Sequence, residues 1–213
     1  MRVLKRDLRG EEGEIALLPE SLDDLWHLRH LVERGDLVFA LTQRKLPAIA
    51  DKARPEKMER KTVRLGVRVE DVEFHMYSNW LRLHGRIVSG MDVGSYHTLN
   101  IEVGTDLSIL KYHWRPDLLA RIDDAVKESQ RPKVVLALVE EGEATIGILR
   151  QFGVQMAAEI RMSSGKGSGE DTRASFMREV AEAIDKTAQG GADVILAGPG
   201  FAKEDLKKVI DSS

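Results

Sequence analysis

Apolar residues recur along the chain in two rhythms, and the change from one to the other divides it. Val63, Leu65, Val67 and Val69 alternate with polar or small residues. That is the period of a strand with one buried and one wet face. Leu81, Leu83 and Ile87 carry the same period, as do Leu99, Ile101 and Val103. Shorter strand-like runs lie at 1–8, 14–18, 37–41, 72–77 and 107–110. Gly10 and Gly13 bracket a turn, which predicts a hairpin from the first two. After Ser21 the period lengthens, and Leu22, Leu25, Trp26, Leu28 and Val32 form a helical stripe. Ser21 is placed to cap this helix, Asp23 and Asp24 to favour the positive end of its dipole, and Gly35 to end it. Arg115-Pro116-Asp117 predicts a second helix start, with Leu118, Leu119, Ile122 and Val126 as its stripe. Many short strands with one early helix predict a small, strongly bent sheet or barrel over 1–128.

Past the polar stretch Ser129-Gln130-Arg131-Pro132 the grammar changes. Residues 134–139 read VVLALV, a continuous apolar run expected of a strand covered on both faces. Glu141-Gly142-Glu143 is a turn, and 144–149 returns as a hairpin partner. A third strand is expected over 154–162. A helix over 173–187 presents Phe176, Met177, Val180, Ala181 and Ile184 on one side. A buried strand at 194–197 closes on Gly198-Pro199-Gly200, and a further helix runs over 202–210. The order β-β-β-α-β-α predicts an α/β domain over 133–213, and the chain as a whole is of mixed α and β class.

Charge adds what periodicity does not show. The net charge is −3, yet residues 43–64 hold eight Lys and Arg against three acids, a local +5 that leaves −8 elsewhere. Prolines at 47 and 55 argue against one helix there, so the segment reads as a long basic loop on a β-rich domain. Such a segment suits a polyanion, because each cation that neutralises a phosphate releases condensed counterions. Arg44, Lys45, Arg54, Lys57, Arg60, Lys61 and Arg64 are the candidate RNA-binding residues. The chain has no Cys, which excludes disulfides, thiolate metal sites and Cys nucleophiles. No window approaches the length of a membrane span, and the charged N-terminus lacks an export signal, so a cytoplasmic protein is expected.

The usual chemical motifs fail one by one. Gly165-Lys166-Gly167-Ser168-Gly169 lacks the spacing of a phosphate loop or of a dinucleotide fingerprint. Gly198-Pro199-Gly200 reads as a tight turn. His27 and His30 share a helix face, but no nearby carboxylate completes a metal motif. Asp92, His97 and Glu102 are a conceivable acid–base cluster that only geometry can establish. Tyr77, Trp80 and Tyr96 could stack on bases, although strand aromatics more often belong to the core.

Several phrases in order resemble one family. Gly94-Ser95-Tyr96-His97-Thr98-Leu99, Trp114 with Asp117-Leu118-Leu119-Ala120-Arg121-Ile122, Val139-Glu140-Glu141-Gly142-Glu143-Ala144, and Ala197-Gly198-Pro199-Gly200-Phe201 resemble the Pelota family. These are archaeal and eukaryotic ribosome-rescue factors related to class I peptide-chain release factors. The resemblance implies an Sm-like first domain and a release-factor-like middle domain, here incomplete and truncated before a third domain. It further implies recognition of stalled ribosomes with an empty A site and subunit dissociation in no-go and non-stop mRNA surveillance. The absence of Gly-Gly-Gln implies no peptidyl-tRNA hydrolysis, and no catalytic residue is carried over. Implied partners are the ribosomal A site with its rRNA and mRNA, an elongation-factor-1A-like GTPase and an ABC-type recycling ATPase. A monomer is expected, with no cofactor required for binding. The alternatives are a metal-dependent endoribonuclease acting on stalled mRNA through the first domain, the one case that calls for a divalent metal, and a generic RNA-binding Sm-like module. Where other members are basic around 162–172, this chain has only Lys166 among Ser and Gly.

Overall fold

The structure, a computed structural model, describes residues 1–45, 60–75, 78–129, 133–162, 169–188 and 191–212. The chain divides into two units, Met1–Gln130 and Arg131–Ser213. The first contains β1 (Arg2–Arg9), β2 (Glu12–Leu18), α1 (Leu22–Leu31), β3 (Leu37–Lys45), β4 (Arg60–His75), β5 (Trp80–Ser89), β6 (Tyr96–Glu102), β7 (Leu107–Lys111) and α2 (Pro116–Glu128). Its strands form one antiparallel sheet in the order β1-β2-β7-β3-β4-β5-β6. The sheet rolls until the edge strand β6 returns to β3, where Thr42 Oγ1 and His97 Nε2 lie 3.0 Å apart.

The inward rows are the alternating residues of the sequence. Leu65, Val67, Val69, Leu81, Leu83, Leu99 and Ile101 are fully buried. Leu25, Leu28 and Leu31 of α1, with Leu118 and Ile122 of α2, belong to the same core. Each such side chain contributes about 1.5–3 kcal/mol over leaving it exposed. Ser21 caps α1 as expected, its Oγ accepting from the Asp24 amide at 3.2 Å. The Asp24 carboxylate accepts in return from the amide of Ser21, at 3.0 Å. Gly35 does not end the helix. α1 stops at Leu31 with Val32 extended, because the Glu33 amide turns to the Asp36 carboxylate at 2.7 Å. Gly35, at φ +99°, lies in the following turn.

The strands expected at 63–69 and 72–77 are joined in one strand, β4, which runs to His75; residues 76 and 77 lie outside the described residues. A bulge between Val69 and Asp71 shifts its register against β5, so the alternation changes phase and reads as a break. At the end of β7, Lys111 is buried and holds two carboxylates, Glu33 Oε2 at 2.8 Å and Asp36 Oδ2 at 2.5 Å. Burial raises the Asp36 pKa despite the Lys111 bond. Burial would raise Glu33 as well, but the hydrogen bonds and charges of Lys111 and Arg115 outweigh it, and its pKa is lowered.

The second unit contains β8 (Val134–Glu140), β9 (Glu143–Arg150), β10 (Gly153–Arg161), α3 (Gly169–Thr187), β11 (Asp193–Ala197) and α4 (Ala202–Asp211). Its sheet runs β10-β9-β8-β11, with β11 parallel to β8 and the other pairs antiparallel. Val135, Ala137, Val139 and Ile146 form a core with Phe176, Val180, Ile184 and Leu206 of the two helices. The expectations that β8 is covered on both faces and that β11 is a buried strand are not met. Among the described residues, helices pack on one face only, and Leu138, Leu149, Met156 and Ile195 are exposed.

Gly198-Pro199-Gly200 is a tight turn between β11 and α4. Gly198 adopts φ +141°, and a Cβ there would lie 2.0 Å from the Val139 carbonyl oxygen. Gly198→Ala is therefore expected to cost the second unit about 2 kcal/mol. The shift of its denaturant midpoint measures this, and an unmoved midpoint would refute the contact.

Candidate nucleic-acid interface

The basic segment is not a loop over its whole length. β3 continues to Lys45 and β4 begins at Arg60, in the register Leu41↔Arg64, Gln43↔Thr62, Arg44↔Lys61 and Lys45↔Arg60. Thr42, Gln43, Thr62 and Val63 continue the strand alternation, and Arg44, Lys45, Arg60, Lys61 and Arg64 lie on the two strands. Like charges directly opposite one another in an antiparallel ladder repel. The end of this strand pair thus sets Lys45 opposite Arg60, where an anion relieves the repulsion, and Lys61 opposite Arg44.

The candidate cations differ in what they can do. Arg44 lies toward the inner side of the roll. Its Nη2 is 2.8 Å from Asp92 Oδ2, and its side chain is 17% exposed. Asp92 adopts φ +55° in the turn before β6, a conformation Asp tolerates better than most residues. Lys61 is exposed. Arg64 is exposed and reaches Ser108 Oγ at 3.4 Å. Arg54 and Lys57 lie outside the described residues, as do the side chains of Lys45 and Arg60.

Asp92, His97 and Glu102 do not share partners. Asp92 belongs to Arg44 and His97 to Thr42. No group of three or more His, Asp or Glu placed to hold a metal occurs among the described residues. His27 Nε2 meets Glu128 Oε2 at 2.9 Å, whereas His30 Nδ1 meets the Trp26 carbonyl at 2.9 Å; the two rings serve different neighbours. Tyr77 and Lys166 lie outside the described residues. Trp80 is half-buried.

Tyr96 stands on the outer face of the sheet, 52% exposed. His84 stacks on its ring at 5.5 Å, and the Arg86 guanidinium lies 4.7 Å from its centroid. The sequence reading missed Arg82, His84 and Arg86 as a surface row. Their signal was present: they recur every second residue against buried Leu81, Leu83, Gly85 and Ile87. Carboxylates accompany them, with Glu73 near Arg82 and Glu70 near Arg86, so this row is less basic than the end of the β3–β4 pair.

Fold and site together define a two-unit protein of mixed α and β structure whose sheet-rich N-terminal unit carries Arg44, Lys45, Arg60, Lys61 and Arg64 on one strand pair. The family model of the Pelota N-terminal domain matches residues 1–126, and the chain belongs to the Pelota family. A pelota homolog from Methanothrix thermoacetophila is 68% identical over all of this chain and 61% of that protein. One from Methanosarcina acetivorans is 54% identical over 98% of this chain and 59% of its own length. This chain thus spans about three-fifths of these curated relatives. The Thermoplasma acidophilum Pelota crystal structure is 24% identical and shares the fold, with a TM-score of 0.73, covering all of this chain and 59% of its own. A model of ribosome-bound archaeal Pelota and ABCE1 is 37% identical, with a TM-score of 0.52, covering all of this chain and 62% of that one. No helix among the described residues is long and apolar enough to cross a membrane.

Proposed function

We propose that this chain acts in archaeal ribosome rescue: it occupies the empty A site of a stalled ribosome and promotes subunit dissociation in no-go and non-stop mRNA surveillance. The carrying observation is the β3–β4 pair, whose facing cations extend from the N-terminal unit of a Pelota-family chain. A relative described in its ribosome-bound state supports the same reading. In this role the N-terminal sheet of the present chain, read as Sm-like, contacts rRNA and mRNA through phosphates, which set position and affinity rather than sequence preference. Lacking Gly-Gly-Gln, the chain leaves the peptidyl ester intact and works by occupancy. The partners of this role are an ABC-type recycling ATPase and an elongation-factor-1A-like GTPase, acting in the cytoplasm.

Co-sedimentation with archaeal ribosomes across a salt series tests this. Binding to ribosomes with an empty A site, lost when tRNA fills it, is the expected result. Equal binding to both would reduce the role to generic polyanion attraction. RNA cleavage that tracks the purified chain and stops with a chelator would replace occupancy by nuclease chemistry.

A further inference from the structure

The rolled sheet leaves a crevice of about 700 Å³ at its seam, where β6 returns to β3. Leu41, Gln43, Thr62, His97, Asn100 and Glu102 are among its lining residues. The size is that of a small-molecule site, but the lining is polar and short-range in its chemistry. No Lys or Arg lines it among the described residues, and Glu102 supplies a negative charge. A phosphate is therefore disfavoured inside. A planar group with mixed donors and acceptors is favoured, because amide, imidazole, hydroxyl and carboxylate groups are all present.

His97 is fixed in this wall. Its Nε2 is bonded to Thr42 Oγ1 at 3.0 Å. Burial, with the charges of Arg44 and His84, lowers its pKa, so near neutrality the ring is uncharged and, with Nε2 engaged by Thr42, its other nitrogen is a donor or an acceptor according to tautomer. Gln43 and Asn100 are exposed and line the crevice with their amide groups. Thr62 lies one residue from Lys61 and two from Arg64 along β4, and it faces Gln43 in the register. A polar slot with one carboxylate thus opens beside the exposed Lys61 and Arg64.

We propose that the β3–β6 crevice takes a nucleobase from single-stranded RNA, read by Gln43, His97, Asn100 and Glu102, while Lys61 and Arg64 hold the flanking phosphates. The inference rests on the RNA-binding reading above and adds a base contact to it. Unstacked bases of single strands are recognised in this way, through hydrogen bonds to their edges beside backbone contacts. Glu102 favours bases that carry an exocyclic amino group, since a carboxylate accepts from such a donor.

The test is fluorescence anisotropy with three probes at one salt concentration: labelled cytidine and uridine dodecamers, and a ribose-phosphate dodecamer without bases. The full chain is expected to bind the cytidine strand about tenfold tighter than the abasic one. Asn100→Ala and Gln43→Ala, at exposed positions, are expected to erase that difference and leave abasic binding unchanged. His97→Ala is expected to do the same, with partial recovery in His97→Gln. Equal binding of base-bearing and abasic strands overturns the proposal. So does a free mononucleotide competing as well as the strand, which would make the crevice a nucleotide pocket. If base discrimination is absent while empty-A-site binding persists, only this inference falls; if wild type fails to bind ribosomes, the proposed function falls separately.

Discussion

Replacing Lys111 by Met is expected to cost the N-terminal unit about 3 kcal/mol at neutral pH, the scale of removing one partner from a buried ion pair. The Lys111 side chain is 2% exposed and its ammonium faces both Glu33 and Asp36. Glu33 retains Arg115 at 2.9 Å and is half-exposed, so it can turn to water. Asp36, 11% exposed at its side chain, keeps only the Glu33 amide and becomes a buried, poorly compensated charge. Glu33, lowered in the fold, contributes stability above the ordinary Glu range that is lost as pH falls through its lowered pKa. Asp36, raised by burial, has the opposite sign, and protonation relieves it. Without Lys111 both carboxyls take protons more readily, so the gap between variant and wild type narrows from about pH 7 to about pH 4. Lys111→Met combined with Asp36→Asn is expected to recover much of the loss. Urea unfolding at both pH values measures this, and a cost independent of pH would show that lost packing, not charge, explains the variant.

That cluster marks where a sequence stops being readable. Leu107 to Leu110 announce a strand, but nothing in their neighbourhood says that Lys111 turns inward, because its partners lie more than 70 residues earlier. Alternation predicted the inward rows of β4, β5 and β6, since each residue's burial there is set by its own strand's period. The bulge at Val69/Asp71 changed that period and split β4 in the reading. The basic stretch was legible as charge and misread as wholly loop, because Lys and Arg carry no strand signal and the Gln43↔Thr62 ladder is a long-range property. His97 appeared in the sequence as one member of a motif, but its place at a seam exists only once the sheet has rolled onto Thr42. Arg44 was grouped with the other cations, and only the turn that carries Asp92 separates it from them.

The separation of Arg44 from its neighbours yields the largest expected binding effect. Replacing Lys45, Arg54, Lys57, Arg60, Lys61 and Arg64 together by Ala, with Arg44 kept, is expected to weaken ribosome binding by on the order of 10³-fold near physiological salt. Removing six phosphate contacts should also flatten the slope of log K against log salt by about 4 to 5. Lys61 and Arg64 replaced as a pair should flatten it by about 1.5 to 2 without moving the unfolding transition, since both are exposed strand positions. Arg44→Ala should behave in the opposite way. Its guanidinium is committed to Asp92 at 2.8 Å, so its loss strands a carboxylate on a residue already held at φ +55°. That loosens the turn before β6 and lowers stability by about 1–2 kcal/mol, with a slope change below about 1. Sedimentation across a salt series and thermal unfolding, run on the same three variants, separate the two roles. If Arg44→Ala flattens the slope as much as the Lys61 and Arg64 pair and leaves the melting temperature unmoved, Arg44 is a phosphate ligand and the ion pair opens on binding. If the sixfold variant keeps the wild-type slope, the strand pair is not the contact, and the polyanion must be held by another face of the sheet.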